Sequence, residues 1–410
     1  MTDRRDFIRL GLGGPFGAWL STALPTVADS ANDDRAMIVL WMNGGASQTD
    51  TFDPKPGHAN AGSFKAIGTS AGSKVQICEH LPRMAKLMHH VGLVRSMVSN
   101  EGSHERGRFL MHTGYRPLGA TAYPSFGSVL AAEMGNPNAN LPNFVSLRIP
   151  TYGPGFLGMT HAPFHVTNPG TVVNSKPAGI PDERFSQRLK MLKSLEQGFV
   201  ASNRGPEARE HYDVYTRGVR FMRSKRLKVF ELDDERESVR DAYGRNPFGD
   251  GCLLARRLVE SGVKCVEVGL DGWDTHRGSF TRNQELMEVL DPAMSSLTRD
   301  LRQRGFLSRT LIVWMGEFGR TPKVNFLGGR DHFTRAWSAA LVGAGIRGGT
   351  VVGQTREDGM EVVDRPVSVP ELFATFCKAL KLDPHKSRKT AAGRPIPIVS
   401  EGSAVNELFG

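Results

Sequence analysis

The chain has 410 residues, a formal net charge of +10 and four cysteines, a length that allows one large domain or two, with no internal repeat to suggest a solenoid. The positive charge is spread along the chain. Only Arg217 to Lys228 is dense, and its helical spacing reads as a solvated helix face more than as a nucleic-acid patch, so the basic balance points instead to anionic substrates or envelope polymers. Cys78, Cys252, Cys265 and Cys377 lack metal-type spacing and each has an apolar neighbour, which reads as buried thiols and excludes a cysteine metal centre.

The amino terminus, Arg4-Arg5-Asp6-Phe7-Ile8-Arg9 followed by the mildly apolar Leu10 to Leu24, has the form of a twin-arginine export signal, with small residues placing cleavage near Ala28. Residues 1–28 are expected to be removed and 29–410 to fold as the mature protein. The twin-arginine translocase is then a transient partner, and the periplasm or cell envelope the destination. Leu10 to Leu24 is too short and too interrupted to cross a bilayer, and the mature chain is expected to have no transmembrane span.

Beyond the signal, apolar runs alternate with amphipathic segments. Met37 to Met42 reads as a buried strand. Leu81 to His90 reads as a helix leading into a strand at Val91 to Met97, Phe126 to Met134 as a helix, and Asn143 to Leu147 as a short strand. Pro150 to Arg184, rich in Gly, Pro, Thr and His, is expected to be a loop excursion over the sheet. Helix dominates from Phe185 to about Arg240, with Leu189, Leu192, Leu195 and Phe199 as one apolar stripe. Gly251 to Ser261 predicts a helix feeding the strand Val263 to Leu270, in which Lys264 is expected at the solvated start. Leu286 to Arg304, Thr310 to Met315 and Val367 to Leu380 complete a helix, strand and helix. The order is a βαβ series, and the predicted fold is α/β, a mostly parallel sheet covered by helices on both faces.

Open α/β sheets place their chemistry at the carboxyl ends of strands, and polar clusters stand at several of them. Val263 to Leu270 runs into Asp271-Gly-Trp-Asp274-Thr-His276, where Gly272 lets the loop turn and Trp273 reads as packing; Asp271 is either a further ligand or a turn residue. Thr310 to Met315 runs into Gly316-Glu317-Phe-Gly319-Arg320, with Arg330-Asp331-His332 close behind. Carboxylates and imidazoles together suit a divalent metal such as zinc, manganese, calcium or iron. Asp274, His276, Glu317, Asp331 and His332 are the expected ligands, with Asp50 from the loop after the first strand as a further one. A structural ion pair between Glu317 and Arg320 is the plain alternative. The segment Ser99 to Arg108 adds hydroxyls, an imidazole and guanidiniums. Arg108 is expected to clamp an oxyanion while Ser103 or His104 attacks or relays a proton.

Together these residues resemble the alkaline-phosphatase and sulfatase superfamily, and within it the branch known as domain of unknown function fifteen-oh-one. The resemblance is carried by Trp41-Met-Asn-Gly-Gly-Ala-Ser-Gln-Thr-Asp50-Thr-Phe-Asp53-Pro-Lys55, by His104 with Thr113-Gly114-Tyr-Arg-Pro117, by Gly272-Trp-Asp274-Thr-His276, by Gly316-Glu-Phe-Gly-Arg-Thr-Pro322 and by Arg330-Asp-His332. It implies a parallel sheet presenting Asp and His ligands to one or two divalent metals, and attack on a phosphate or sulfate ester. The chain departs from that pattern at Asn43, where the first strand usually ends in a metal-binding Asp, and at Glu317-Phe318, where an Asp-His pair is usual. Counting back from Thr113-Gly114 puts the nucleophile position on His104 and the sulfatase arginine on Arg108. No Cys-x-Pro-x-Arg or Ser-x-Pro-x-Arg occurs, so formylglycine maturation is not expected. The expected function is an exported metal-dependent hydrolase of phosphate, sulfate or related anionic esters. The rival expectation is a non-catalytic envelope protein that binds anionic polymer or a partner.

Overall fold

The sheet is organised around Ala36–Asn43 (β1), an apolar run whose first seven residues are buried, as a strand must be when helices cover both its faces. The computed structural model describes residues 34–117, 119–173, 179–202 and 206–410; the export signal expected over residues 1–28 lies outside them. After β1 come β2 (Val91–Val98), β3 (Phe144–Leu147), β4 (Phe164–Val166), β5 (Cys265–Asp271), β6 (Thr310–Met315), β7 (Gly319–Arg320), β8 (His332–Phe333), β9 (Trp337–Val342), β10 (Val351–Val352) and β11 (Val367–Ser368). All but β7 and β8 form a nine-stranded sheet in the order β10-β2-β9-β6-β1-β5-β3-β4, with β11 also beside β2. Every pairing is parallel except those of β9. The exception goes with the connection: between β6 and β9 the chain builds the β7–β8 ribbon and no crossover helix, and it re-enters the sheet in the opposite direction.

Register places the chemistry. Asn43 pairs with Asp271 and Trp41 with Met315, so β5, β1 and β6 end side by side at one edge. The two faces of β1 feed two cores. Ile38, Leu40 and Met42 pack with Pro247–Glu260 and Ser279–Gln303, whereas Met37, Val39 and Trp41 pack with His104–Thr113, Phe126–Glu133 and Val369–Leu380. Each fully buried aliphatic side chain in these layers contributes about 1.5–3 kcal/mol, which is why the central strands are the rigid part of the scaffold.

Several expectations are corrected. The run Leu81 to His90 is only a four-residue helix, Pro82–Ala85, and a 3-10 turn, Met88–His90. Phe185 to Arg240 is broken into Asp182–Ala201, Pro206–Met222, a 3-10 turn at Lys225–Phe230 and Glu237–Ala242. Leu195 of the expected apolar stripe is 59% exposed, so that face is not a core face. Lys264 is buried, not solvated, because its amide donates to Asn143 O and its carbonyl accepts from Met37 N, which holds it between strands. The excursion from Pro150 is partly ordered into the sheet, since Phe164–Val166 is the edge strand beside β3. The four cysteines are free and buried, and Trp273 is fully buried.

Candidate metal centre

Two glycines after β1 allow the loops to meet. Gly44 has φ +110°, and a Cβ on it would lie 2.4 Å from Asp274 N; Gly45 has φ +83°, and a Cβ there would lie 2.6 Å from Phe318 O. Only glycine fits both the left-handed backbone and the contact. The loop after β5, carrying Asp274 and His276, therefore lies directly against the loop after β1, and the loop after β6, carrying Glu317, closes from the other side. The β7–β8 ribbon pairs His332 with Arg320 and so returns His332 to the same point. His104 arrives as the first residue of the helix His104–Thr113.

Three imidazoles surround one carboxylate oxygen. The Nε2 atoms of His276, His104 and His332 lie 3.1, 3.3 and 3.4 Å from Asp274 Oδ1, and the Nε2 atoms of His276 and His332 lie 3.1 Å apart. The opposite ring nitrogens are all held by acceptors. His104 Nδ1 lies 2.8 Å from Glu317 Oε1, His276 Nδ1 2.9 Å from Asp331 Oδ1, and His332 Nδ1 2.8 Å from Gly102 O. A carbonyl or carboxylate oxygen can only accept, so each Nδ1 is the donor there, and in its neutral form each ring presents the Nε2 lone pair inward. That arrangement is how metal-binding histidines are fixed. Two lone pairs facing at 3.1 Å repel unless a cation lies near them.

Buried atoms without partners point to the same place. Among the described residues, His104 Nε2 and Glu317 Oε2 are buried and make no hydrogen bond, and Glu317 is fully inaccessible. Unpaired buried polar atoms of this kind are costly in a folded protein and need an explanation. His104, Asp274 and His332 can each offer a ligand atom within 4.8 Å of the others, with His276 Nε2 adjoining two of them. A set of imidazole nitrogens and carboxylate oxygens fits a borderline first-row cation, so the residues present suit a metal.

A resident cation already touches the cluster. Arg320, fully buried, reaches Asp274 Oδ1 through Nη2 at 2.5 Å and lies 3.3 Å from His276 Nε2 through Nη1. Its Nε donates to Gly45 O at 3.1 Å, and Gln48 clamps its backbone from both sides, at 2.8 and 3.0 Å. Although burial alone would raise the Asp274 carboxyl, the hydrogen bond and charge of Arg320, with His104 and His276, hold it below the usual range. Burial lowers His332, helped by the charge of Arg320, against the opposing bond to Gly102. Both shifts favour the forms that ligate.

Seven of the nine residues expected from sequence meet here: Asp274, His276, Glu317, Asp331, His332, His104 and Arg108. Asp331 stands behind His276, and Glu317 behind His104 with one oxygen free. Glu317 does not pair with Arg320; its Oε1 accepts from Gly44 N at 2.9 Å and lies 3.2 Å from Arg108 Nε. Arg108, one turn after His104, keeps its terminal amino groups without partners among the described residues. Ser103 is exposed at the helix N-cap and makes no side-chain capping bond. Asp50 does not join the cluster. Both its oxygens are taken by Arg330, through Nε at 2.9 Å and Nη2 at 2.8 Å, and Asn283 Nδ2 adds a third bond at 2.9 Å, with Asp50 and Arg330 both fully buried. Asp271 likewise turns away, accepting from Asn43 Nδ2 at 2.7 Å. Sequence reasoning missed the Gly102 carbonyl and the Gly44 amide, which are backbone groups with no side-chain signature, and the reach of Arg320.

Solved structures to which the chain is similar include the sulfatase PsFucS1 from Pseudoalteromonas sp., at 12% identity over 88% of this chain and 72% of that one, TM-score 0.40. The phosphonate monoester hydrolase of Agrobacterium radiobacter is similar at 13% identity over 91% and 77%, TM-score 0.35, and TAB5 alkaline phosphatase at 11% over 85% and 98%, TM-score 0.35. No curated protein matches the chain. The model of one family, described as protein of unknown function (DUF1501), matches residues 34–409, and the chain belongs to that family.

Proposed function

We propose that this chain is an exported, divalent-metal-dependent hydrolase acting on phosphate or sulfate esters, or on a related anionic group, in the cell envelope. One observation carries the reading: three Nε2 atoms converge on Asp274 while every Nδ1 is anchored to an acceptor. His104, His276, His332 and Asp274 would hold the cation, with Glu317 Oε2 as a further oxygen. Such a donor set favours zinc, manganese or iron over calcium, which prefers oxygen alone. When bound there, the metal supplies Lewis-acid polarisation of the ester or of a water.

The chain's own residues supply the rest. Glu317 keeps the Nδ1 proton of His104 and steadies Arg108 Nε, which leaves the Arg108 amino groups to bind the anionic group. Asp331 fixes the tautomer of His276 in the same way, and Asn325 Nδ2 supports it at 3.1 Å. Ser103 lies between Gly102, which holds His332, and His104, so its free hydroxyl is the side-chain nucleophile best placed at the rim. His104, with both nitrogens committed to the cluster, serves as a ligand and not as a nucleophile.

The test is metal per chain by elemental analysis of protein purified without chelator, with hydrolysis of p-nitrophenyl phosphate and sulfate. About one metal per chain is expected, with Asp274→Ala and His332→Ala losing metal and hydrolysis together. Arg320 favours a second reading, a non-catalytic anion-binding protein, because its guanidinium already neutralises Asp274. Absence of metal in the wild type after incubation with zinc, manganese and iron would select that reading.

A further inference from the structure

A cleft of about 810 Å³ is lined by Asp53, Lys55, His58, Lys74, Arg95 and Thr355 among others. It uses none of the metal cluster's side chains. Near it, Arg330 donates to Asn60 O at 3.0 Å and also to Pro322 O, and Gly359 packs between Pro322 and Lys55, a lining residue of the cleft.

The cleft is rich in donors, and its buried carboxylate is already saturated. Asp53 is buried; its Oδ1 accepts from Lys55 Nζ at 3.0 Å and lies 3.6 Å from Arg95 Nε, and its Oδ2 accepts from Thr355 Oγ1 at 2.5 Å. Lys55 Nζ donates a second bond to Thr355 Oγ1 at 2.5 Å, which leaves its third N–H. Arg95 spends Nε on Phe52 O at 2.9 Å and Nη2 on Gln76 O at 2.6 Å, and its Nη1 has no acceptor among the described residues. His58 Nδ1 accepts from Asn60 N at 3.0 Å, so the proton of the neutral ring is on Nε2, a further donor. Lys74 is exposed at the rim. Three cations thus face two carboxylates, Asp53 and the exposed Glu357. Burial pushes the Arg95 guanidinium below its ordinary value despite Asp53, as expected of a buried cation with too little counter-charge.

We propose that this cleft is a second, oxyanion-binding site, taking a phosphate, sulfate or carboxylate group through Lys55, Arg95 and Lys74. Charge-assisted donors left over after the local carboxylate is satisfied are the chemistry that recognises such groups. The site would hold an anionic group displaced from the one being cleaved, as in a polymer carrying many of them.

The experiment is titration calorimetry of chelator-treated full-length mature protein with inorganic phosphate, inorganic sulfate and glucuronate in separate arms, so that the metal plays no part. Saturable binding of at least one anion is expected, and the tightest arm identifies the group. Lys74→Glu, an exposed change that spares the fold, is expected to weaken binding by about tenfold, which is about 1.4 kcal/mol. Lys55→Met should abolish it, with a melting curve to confirm folding. Asp274→Ala should leave it unchanged. The proposal is overturned if no anion binds, if Lys74→Glu binds as well as wild type, or if Asp274→Ala is the variant that loses binding. None of these outcomes bears on metal content, so this proposal and the hydrolase reading stand or fall separately.

Discussion

Asp50→Asn separates a structural carboxylate from a ligand. In the native protein Asp50 meets Arg330 through two bonds, and neither side chain touches solvent. Asparagine keeps one acceptor for Arg330 but turns an amide toward the guanidinium and removes the counter-charge. Arg330 would retain its bonds to Thr321 O, Pro322 O and Asn60 O, so it cannot withdraw into water. Leaving one partner of a buried pair uncompensated costs about 3–5 kcal/mol. With an unfolding entropy of about 2 cal/mol/K per residue, the body from Arg35 to Gly410 converts about 4 kcal/mol into a fall in Tm of about 5 °C. Calorimetric melting and metal analysis of the same preparation check both halves of the claim. The folded variant should keep its metal while melting earlier. Unchanged melting, or loss of metal from protein that still melts like wild type, would return Asp50 to the ligand set and refute the reasoning.

Three further outcomes are expected. Gly44→Ala forces a Cβ to 2.4 Å from Asp274 N in a left-handed backbone, which should cost about 1–3 kcal/mol of strain and displace the Asp274 loop; metal content and Tm should fall together, and a variant normal in both would show that the close approach is dispensable. Glu235 accepts from Arg256 at 2.5 Å and Arg257 at 2.7 Å; burial alone would raise its carboxyl, but these two guanidiniums depress it. A depressed folded value means stability present above the unfolded pKa of about 4.3 and lost as pH falls through the folded value. Glu235→Gln should therefore flatten the acid limb of Tm against pH, and an identical limb in both proteins would contradict the assignment. Burial pushes the thiols of Cys78 and Cys377 up to about 12 and that of Cys252 higher still, so iodoacetamide at pH 8 should leave the native protein unmodified by mass spectrometry and label all four cysteines after unfolding. Rapid labelling of the native state would place at least one of them at the surface.

The central strands are readable in the sequence because a continuous apolar run of five to eight residues has few other uses in a chain with helical periodicity on either side. Met37 to Met42 and Thr310 to Met315 are of that kind, Val263 to Leu270 is largely apolar despite Lys264 and Glu267, and the polar residues after them fall at one edge because parallel strands in register end together. The candidate ligands were legible for that reason. Asp50 was not, since a carboxylate in a loop after a strand looks the same whether it faces a metal or an arginine, and its partner Arg330 is 280 residues away. Sequence proximity also misled at Glu317 and Arg320: the turn into β7 sends the guanidinium across to Asp274, while Glu317 faces the helix start at His104. The region from Asp182 to Ala242 was hard to divide because the apolar stripe of Asp182–Ala201 leaves Met191 and Leu195 exposed, so it reported no core face to mark element ends.

Charge at the cluster restricts what it can bind well. Asp274, Glu317 and Asp331 bring three negative charges, and Arg320 and Arg108 bring two positive ones. With the imidazoles neutral, as ligation requires, one negative charge is in excess. A divalent cation reverses that to one positive charge, and a monoanionic group brings the whole to neutrality. A sulfate monoester or a phosphate diester is monoanionic at neutral pH; a phosphate monoester is close to dianionic and would leave a negative charge among half-buried groups, where the effective dielectric is low and the cost is greater than in water. Arg320 is the residue that sets this balance. It is fully buried and bound on every side, so its charge cannot move away, and in the proposed hydrolase such a site would discriminate among esters by charge before it discriminates by shape.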